Sequence, residues 1–326
     1  MLGWGTITEP RLTVALGGGG VRGAVHLGVL HALHDAGLRP AMIAGTSSGA
    51  VAGLLYALEL TDPKAPRVEA MQLLEAIGAH GFSELHRLLA GKPGESLRER
   101  LATLVGWERL LRAGVSGPAI TSIAPMHAAL TRLVGDRTFE SLPVPLAFVA
   151  ADLISAKKVV LERGPLVPAL LASCSVPGVF PPVLLDGRLL VDGHVLENVP
   201  TSVAREALDG QPGIVLAVDV GFDEITPLRT ALDVILRAAA VSRDRLRVEG
   251  LRHADYVIHV GDEVPCGIFE VEQAAVLYTA GLRRGREIAP ALQAALQELA
   301  RPRRWFGRTM RPPRKTPAEP ARPNQA

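Results

Sequence analysis

The chain has 326 residues, long enough for one large domain or two ordinary ones. Hydrophobic residues make up 48% and charged residues 21%, which excludes wholesale disorder, while 4% aromatics argues against base-stacking platforms and aromatic ligand cages. The net charge is +2, but residues 301–326 hold eight Lys/Arg against one acid, Glu319, so the rest carries about −5 and a nucleic-acid-binding body is not expected.

Leu12–Leu16 is an apolar run ending in four glycines, Gly17 to Gly20, which reads as a buried strand feeding a tight loop. Ala24–Ala36 has apolar residues at helical spacing, with Gly37 where a helix-ending glycine belongs. Ala41–Ala44 predicts a second strand cut by Gly45, and Ala50–Leu60 a small-residue helix. Strand, loop, helix, strand, turn, helix is how a parallel α/β sheet begins.

Residues 61–140 read as a helical excursion, with amphipathic segments at Val68–Ile77, Ser96–Ala113 and Pro125–Val134. Strands resume at Leu146–Ala151 and Lys157–Leu161, followed by a helix at Leu166–Ser173. Val183–Val191 predicts a hairpin turning at Asp186-Gly187. Beyond it come a helix at Val199–Leu208, a strand at Gly213–Val220 and a long helix at Leu228–Glu249. A last strand at Tyr256–Val260 and a helical stretch at Val271–Leu299 complete the pattern. A single domain over 1–300 is expected, its motifs within about 12–200, and then a basic, Pro-rich tail over 301–326 expected to be disordered. Trp305-Phe306 within that tail suggests transient contact with an anionic membrane surface, against the plainer reading of a solvated tail. Two cysteines, Cys174 and Cys266, make no disulfide framework. The first residues lack a basic and a long apolar region, and no apolar run nears the ~18 residues of a membrane span. A cytoplasmic protein without a signal peptide or transmembrane segment is expected.

Three strings could carry chemistry. Gly45-Thr46-Ser47-Ser48-Gly49 is G-x-S-x-G between a strand and a helix, the setting in which a strained turn exposes a serine hydroxyl. Gly45 and Gly49 leave room for the turn, and Ser47 alone has glycine at both −2 and +2; the alternative is an ordinary glycine-rich turn. Gly18-Gly19-Gly20-Val21-Arg22-Gly23 fits G-x-G-x-x-G. It lacks the acidic residue a dinucleotide site wants at the second strand and the Lys-Ser/Thr of a P-loop. Its backbone amides suit an oxyanion hole at a helix N-terminus, with Arg22 either bracing the loop or supplying charge. None of the nine histidines is marked as a triad base. Of the three Asp-Gly pairs, Asp186 belongs to the hairpin turn and Asp209 to a loop after a helix. Asp192 ends a strand, where α/β sheets place functional groups, or it caps a turn.

GGGGVRG, GTSSGA and VDGH, in that order and spacing, resemble the patatin-like phospholipases, and most of all their bacterial branch related to neuropathy target esterase. Phe148–Asp152, Ala172–Pro182 and Leu190–Pro200 extend the resemblance, which runs over about residues 12–290. It implies an α/β fold, a three-layer α/β/α sandwich on a mainly parallel sheet, and hydrolysis of lipid acyl esters without metal or other cofactor. Ser47 is then the nucleophile, Asp192 the base of a Ser-Asp dyad, and Gly18, Gly19, Gly20, Val21, Arg22 and Gly23 the oxyanion loop. One departure stands out. His194 occupies the position after Asp-Gly where the family has Gly or Ala, which makes it a candidate modulator: it crowds the site, tunes Asp192, points outward or shares in proton transfer. A regulatory or lipid-binding protein on the same fold, its catalysis weakened, is the alternative function.

Overall fold

A computed structural model describes residues 9–61, 117, 119, 121–221, 231–261, 263, 264, 266 and 270–301. The expected helices at Val68–Ile77 and Ser96–Ala113, and the tail beyond residue 301, lie outside the described residues. Eight strands form one sheet: Arg11–Leu16 (β1), Met42–Thr46 (β2), Leu146–Asp152 (β3), Lys157–Leu161 (β4), Val183–Leu185 (β5), Arg188–Asp192 (β6), Gly213–Asp219 (β7) and Tyr256–His259 (β8). Its order is β5-β6-β3-β2-β1-β7-β8, with β4 also paired to β3. The run from β3 through β2, β1 and β7 to β8 is parallel; β4, β5 and β6 join antiparallel. The mainly parallel α/β architecture expected from the sequence is the one present.

Helices cover both faces unequally. Val14, Leu16 and Ile43 pack into the larger core with Gly23–Asp35 (α1), Ser48–Thr61 (α2), Ala124–Val134 (α3), Leu166–Ser173 (α4) and Ala274–Ala300 (α7). The intervening Ala15, Met42 and Ala44 point the other way, against Val203 and Ala204 of the short Thr201–Glu206 helix (α5). Near-continuous apolar strands follow from being buried on both faces. One helix differs in extent from the sequence expectation, and the expected start of another, at Leu228, lies outside the described residues. The predicted Val199–Leu208 helix shrinks to α5 because it starts only after Pro200, and the long helix near the C-terminal third is Ala231–Gly250 (α6) over the described residues. The hairpin turn is where the sequence puts it, Asp186 and Gly187 both holding positive φ (50° and 73°).

Candidate active site

The register of β3 brings the chemistry together. Along one edge of β3, β2 pairs from Leu146 as far as Val149, where its last residue, Thr46, lies opposite. At the next residue, Ala150, the partner on that edge becomes Asp192, the last residue of β6; β4 occupies the other edge from Phe148 to Asp152. Ser47 follows Thr46, so two side chains 145 positions apart in sequence emerge from neighbouring sites on one strand. A single segment then fixes both backbones. Ser173 Oγ accepts the Ser47 amide at 3.1 Å and donates to the Val149 carbonyl at 2.8 Å, while the Ser175 carbonyl accepts the Asp192 amide at 2.9 Å.

Ser47 holds φ +54°, a left-handed conformation that costs a residue with a side chain about 1–2 kcal/mol. An ordinary turn would place glycine there. Gly45 and Gly49 permit the bend by close approach: a Cβ on Gly45 would lie 2.5 Å from the Ala50 nitrogen, and one on Gly49 2.1 Å from the Leu16 carbonyl oxygen. A serine in left-handed conformation between β2 and α2 is the backbone geometry on which the elbow expectation rests. The adjacent Ser48 is structural, its Oγ accepting the Gly19 amide at 2.9 Å.

Asp192 is fully buried, and its two oxygens have different fates. Oδ1 accepts the His194 backbone amide at 3.0 Å and lies 3.2 Å from His194 Nδ1. Oδ2 is buried and meets no hydrogen-bond donor among the described residues. The capping alternative is therefore true of one oxygen and leaves the other. An unpaired buried acceptor costs on the order of 1–3 kcal/mol, so the fold maintains Oδ2 at a penalty. The imidazole of His194 does not point away from the site; it contacts the carboxylate. Burial, and after it the charge of Asp192, pushes the Cys174 thiol well up, so Cys174 packs as a neutral side chain.

The glycine loop is pinned from several sides. The Gly18 amide donates to the Asn198 carbonyl at 3.1 Å, and the Gly19 amide is spent on Ser48. Gly20 and Val21 open the 3₁₀ turn Gly20–Arg22 leading into α1; their amides precede the turn's first internal bond, from Arg22 N–H to Gly19 O. Among the described residues no acceptor meets the amide of either one. Arg22 is a brace: Nε donates to the Cys266 carbonyl at 3.0 Å and Nη1 to the Val220 carbonyl at 3.1 Å. His26 Nε2–H, fully buried, donates to the Gly17 carbonyl at 2.7 Å. His31 joins Tyr278 of α7 to Glu59 of α2, and His34 meets Tyr56. All three histidines of α1 thus have structural partners.

Ser47, Asp192, His194, Gly18, Gly19, Gly20 and Arg22 share one cleft of about 180 Å³. Val21, Gly23, Gly45 and Gly49 shape it from outside its lining. Its remaining wall includes Val176 and Asn198, which lie in segments the sequence already marked, and Gly221, Arg243, Asp244 and Arg247, which no local motif announces. Beside it, Asp219 ends β7 and binds Arg247 of α6, His259 Nδ1 at 3.0 Å and the Gly221 amide at 3.0 Å. Burial would raise the Asp219 carboxyl; the His259 hydrogen bond and the Arg247 charge outweigh it and hold it below the usual range. Among the described residues no cluster of His, Cys, Asp or Glu is placed to hold a metal ion, and no helix is long and apolar enough to cross a membrane.

A family model described as patatin-like phospholipase matches residues 14–205. An uncharacterized NTE family protein of Mycobacterium tuberculosis is 35% identical over 225 residues, which span 69% of this chain and 53% of that protein. Patatin-like phospholipase domain-containing protein 7 of Rattus norvegicus is 28% identical over 231 residues, spanning 70% of this chain and 15% of that protein. The chain thus spans about half the length of the mycobacterial relative. Among solved structures, human GIVD cytosolic phospholipase A2 in complex with methyl gamma-linolenyl fluorophosphonate aligns over 90% of this chain and 60% of its own, with TM-score 0.41 and 14% identity.

Proposed function

We propose, since this chain belongs to the patatin-like phospholipase family, that it hydrolyses acyl esters of lipids by a Ser47–Asp192 dyad. The observation carrying this reading is the pairing, in one cleft, of a serine held at φ +54° with a buried carboxylate whose Oδ2 has no donor among the described residues. In the first step Ser47 Oγ attacks the ester carbonyl carbon and its proton passes to Asp192 Oδ2. The carbonyl oxygen becomes an oxyanion beside the glycine loop, whose Gly20 lines the cleft; losing one backbone donor from such a site typically costs about 3 kcal/mol of transition-state stabilisation. The alcohol leaves with the proton from Asp192, and Ser47 keeps the acyl group. Water then gives its proton to Oδ2, attacks the acyl carbon, and releases the fatty acid as Ser47 recovers its hydrogen. Oδ1, tied to the His194 amide, keeps the carboxylate plane fixed through both halves.

The test is turnover of p-nitrophenyl esters of increasing chain length, with fluorophosphonate labelling, by wild type, Ser47→Ala and Asp192→Asn. Wild type should label and turn over, and each variant should lose about a thousandfold or more in kcat, the scale seen when a nucleophile or its base is removed. A folded wild type that neither labels nor hydrolyses any ester would favour the regulatory or lipid-binding alternative.

A further inference from the structure

The cleft's outer wall contains charge that the hydrolysis of an ester does not use. Asp192 lies at the end of β6, Ser47 after β2, the glycine loop after β1, and Asp219 with Gly221 at the end of β7; β2, β1 and β7 are successive strands of the sheet. The α6 wall therefore lies on the far side of the glycine loop from Asp192. Arg247 on that wall is neutralised by Asp219 and Asp244. Arg243, one turn earlier on α6, lines the same cleft, is half-buried, and pairs with no carboxylate among the described residues. Its neighbour Asp244 is committed to Arg247. A half-buried guanidinium that meets no counter-charge among the described residues and lines a ligand cleft is poised to take an anion, and its planar fork suits phosphate and carboxylate oxygens.

Resting on the hydrolase reading, we infer that Arg243 is a specificity residue selecting esters whose alcohol half carries an oxyanion group, phosphate or carboxylate, over neutral esters. The spacing is compatible. β2 and β7 are two strand intervals apart, about 10 Å, and a guanidinium on α6 closes part of that gap. The anion then sits a few bonds from the scissile carbonyl, with the apolar acyl chain directed elsewhere. Placing the charge beyond the glycine loop also keeps it away from the Asp192 carboxylate, which would repel it.

The experiment compares a matched set with one acyl chain: monoacylglycerol, monoacylglycerol phosphate and the acyl ester of glyceric acid. Wild type should hydrolyse at least one anionic ester with kcat/KM tenfold or more above the neutral one; which anion leads distinguishes phosphate from carboxylate. Arg243→Ala should collapse that ratio through KM, Arg243→Lys should keep part of it, and Arg252→Ala, an exposed arginine off the cleft wall, should leave it intact. A wild-type ratio near one, or an Arg243→Ala variant that keeps the ratio, overturns the inference while leaving the hydrolase intact. If no ester reacts and Ser47 takes no fluorophosphonate, the hydrolase reading fails on its own. Titration with glycerol 3-phosphate then decides the anion site: saturable binding abolished by Arg243→Ala supports it, and no binding overturns it.

Discussion

The two oxygens of Asp192 differ by what His194 does to one of them. Family resemblance makes Gly or Ala the expected neighbour, and the backbone amide that caps Oδ1 would survive such a change, since every residue but proline supplies it. The imidazole adds only the 3.2 Å contact to Oδ1, already the occupied oxygen. His194→Gly should therefore lower kcat by no more than about tenfold, well short of the 10²–10⁴ that a general base contributes. Steady-state kinetics beside Asp192→Asn check this. A loss equal to that of Asp192→Asn would make the imidazole the proton carrier. At this scale the sequence was informative where a residue's role rests on its neighbours in the chain: the flanking glycines single out Ser47, and the strand end singles out Asp192. Ser173 was legible only as part of a resembling segment, because its work, accepting the Ser47 amide at 3.1 Å, joins residues 126 positions apart.

Among elements, the pairing change on β3 could not be seen in the sequence. Periodicity identifies β2, β3 and β6 as strands but does not say that β6 takes over the β3 edge where β2 ends. A one-residue slip of β6 would turn the Asp192 side chain to the opposite face of the sheet, so its register is part of the site. The packing of α1 on α7 is similarly hidden. Glycines in the two helices read as weak helix formers, yet a Cβ on Gly281 would lie 2.1 Å from the Val25 carbonyl oxygen and one on Gly28 2.2 Å from the Tyr278 carbonyl oxygen. Backbone meets backbone there, and α1 is the helix that the glycine loop enters. Gly281→Ala raises intrinsic helix propensity but must separate the helices. A net loss of about 1–3 kcal/mol is expected, the usual cost of overpacking, measured as a lower urea midpoint. An unchanged midpoint would mean that the contact relaxes without cost.

For the molecule as a whole, charge burial beneath the glycine loop sets how it responds to acid. Burial lowers the pKa of His26 from 6.5 to about 4, with the Gly17 hydrogen bond and the Asp219 charge offsetting only part of the effect. The unfolded chain therefore takes up this proton first. As pH falls from about 6.5 to about 4 the folded state loses stability progressively, by on the order of 3 kcal/mol if the whole shift counts, and below that the penalty is constant. Asp219 acts in the next window. Its folded pKa lies below the ordinary carboxyl value of 3.8, so its stabilisation is complete above that value and is lost as pH drops through the folded one. Acid should weaken the fold in two stages, histidine first. His26→Gln separates them, since its amide N–H can still donate to the Gly17 carbonyl but does not titrate. Urea midpoints between pH 7 and 4 should fall more steeply for wild type than for His26→Gln, and the two curves should run parallel below about pH 4. Parallel curves across the whole range would show that another group governs the first stage. Protonation takes place at Nδ1, which is buried and meets no partner among the described residues, so the Nε2–H bond to the Gly17 carbonyl survives and the cost of acid at this site is that of a charge placed in the core.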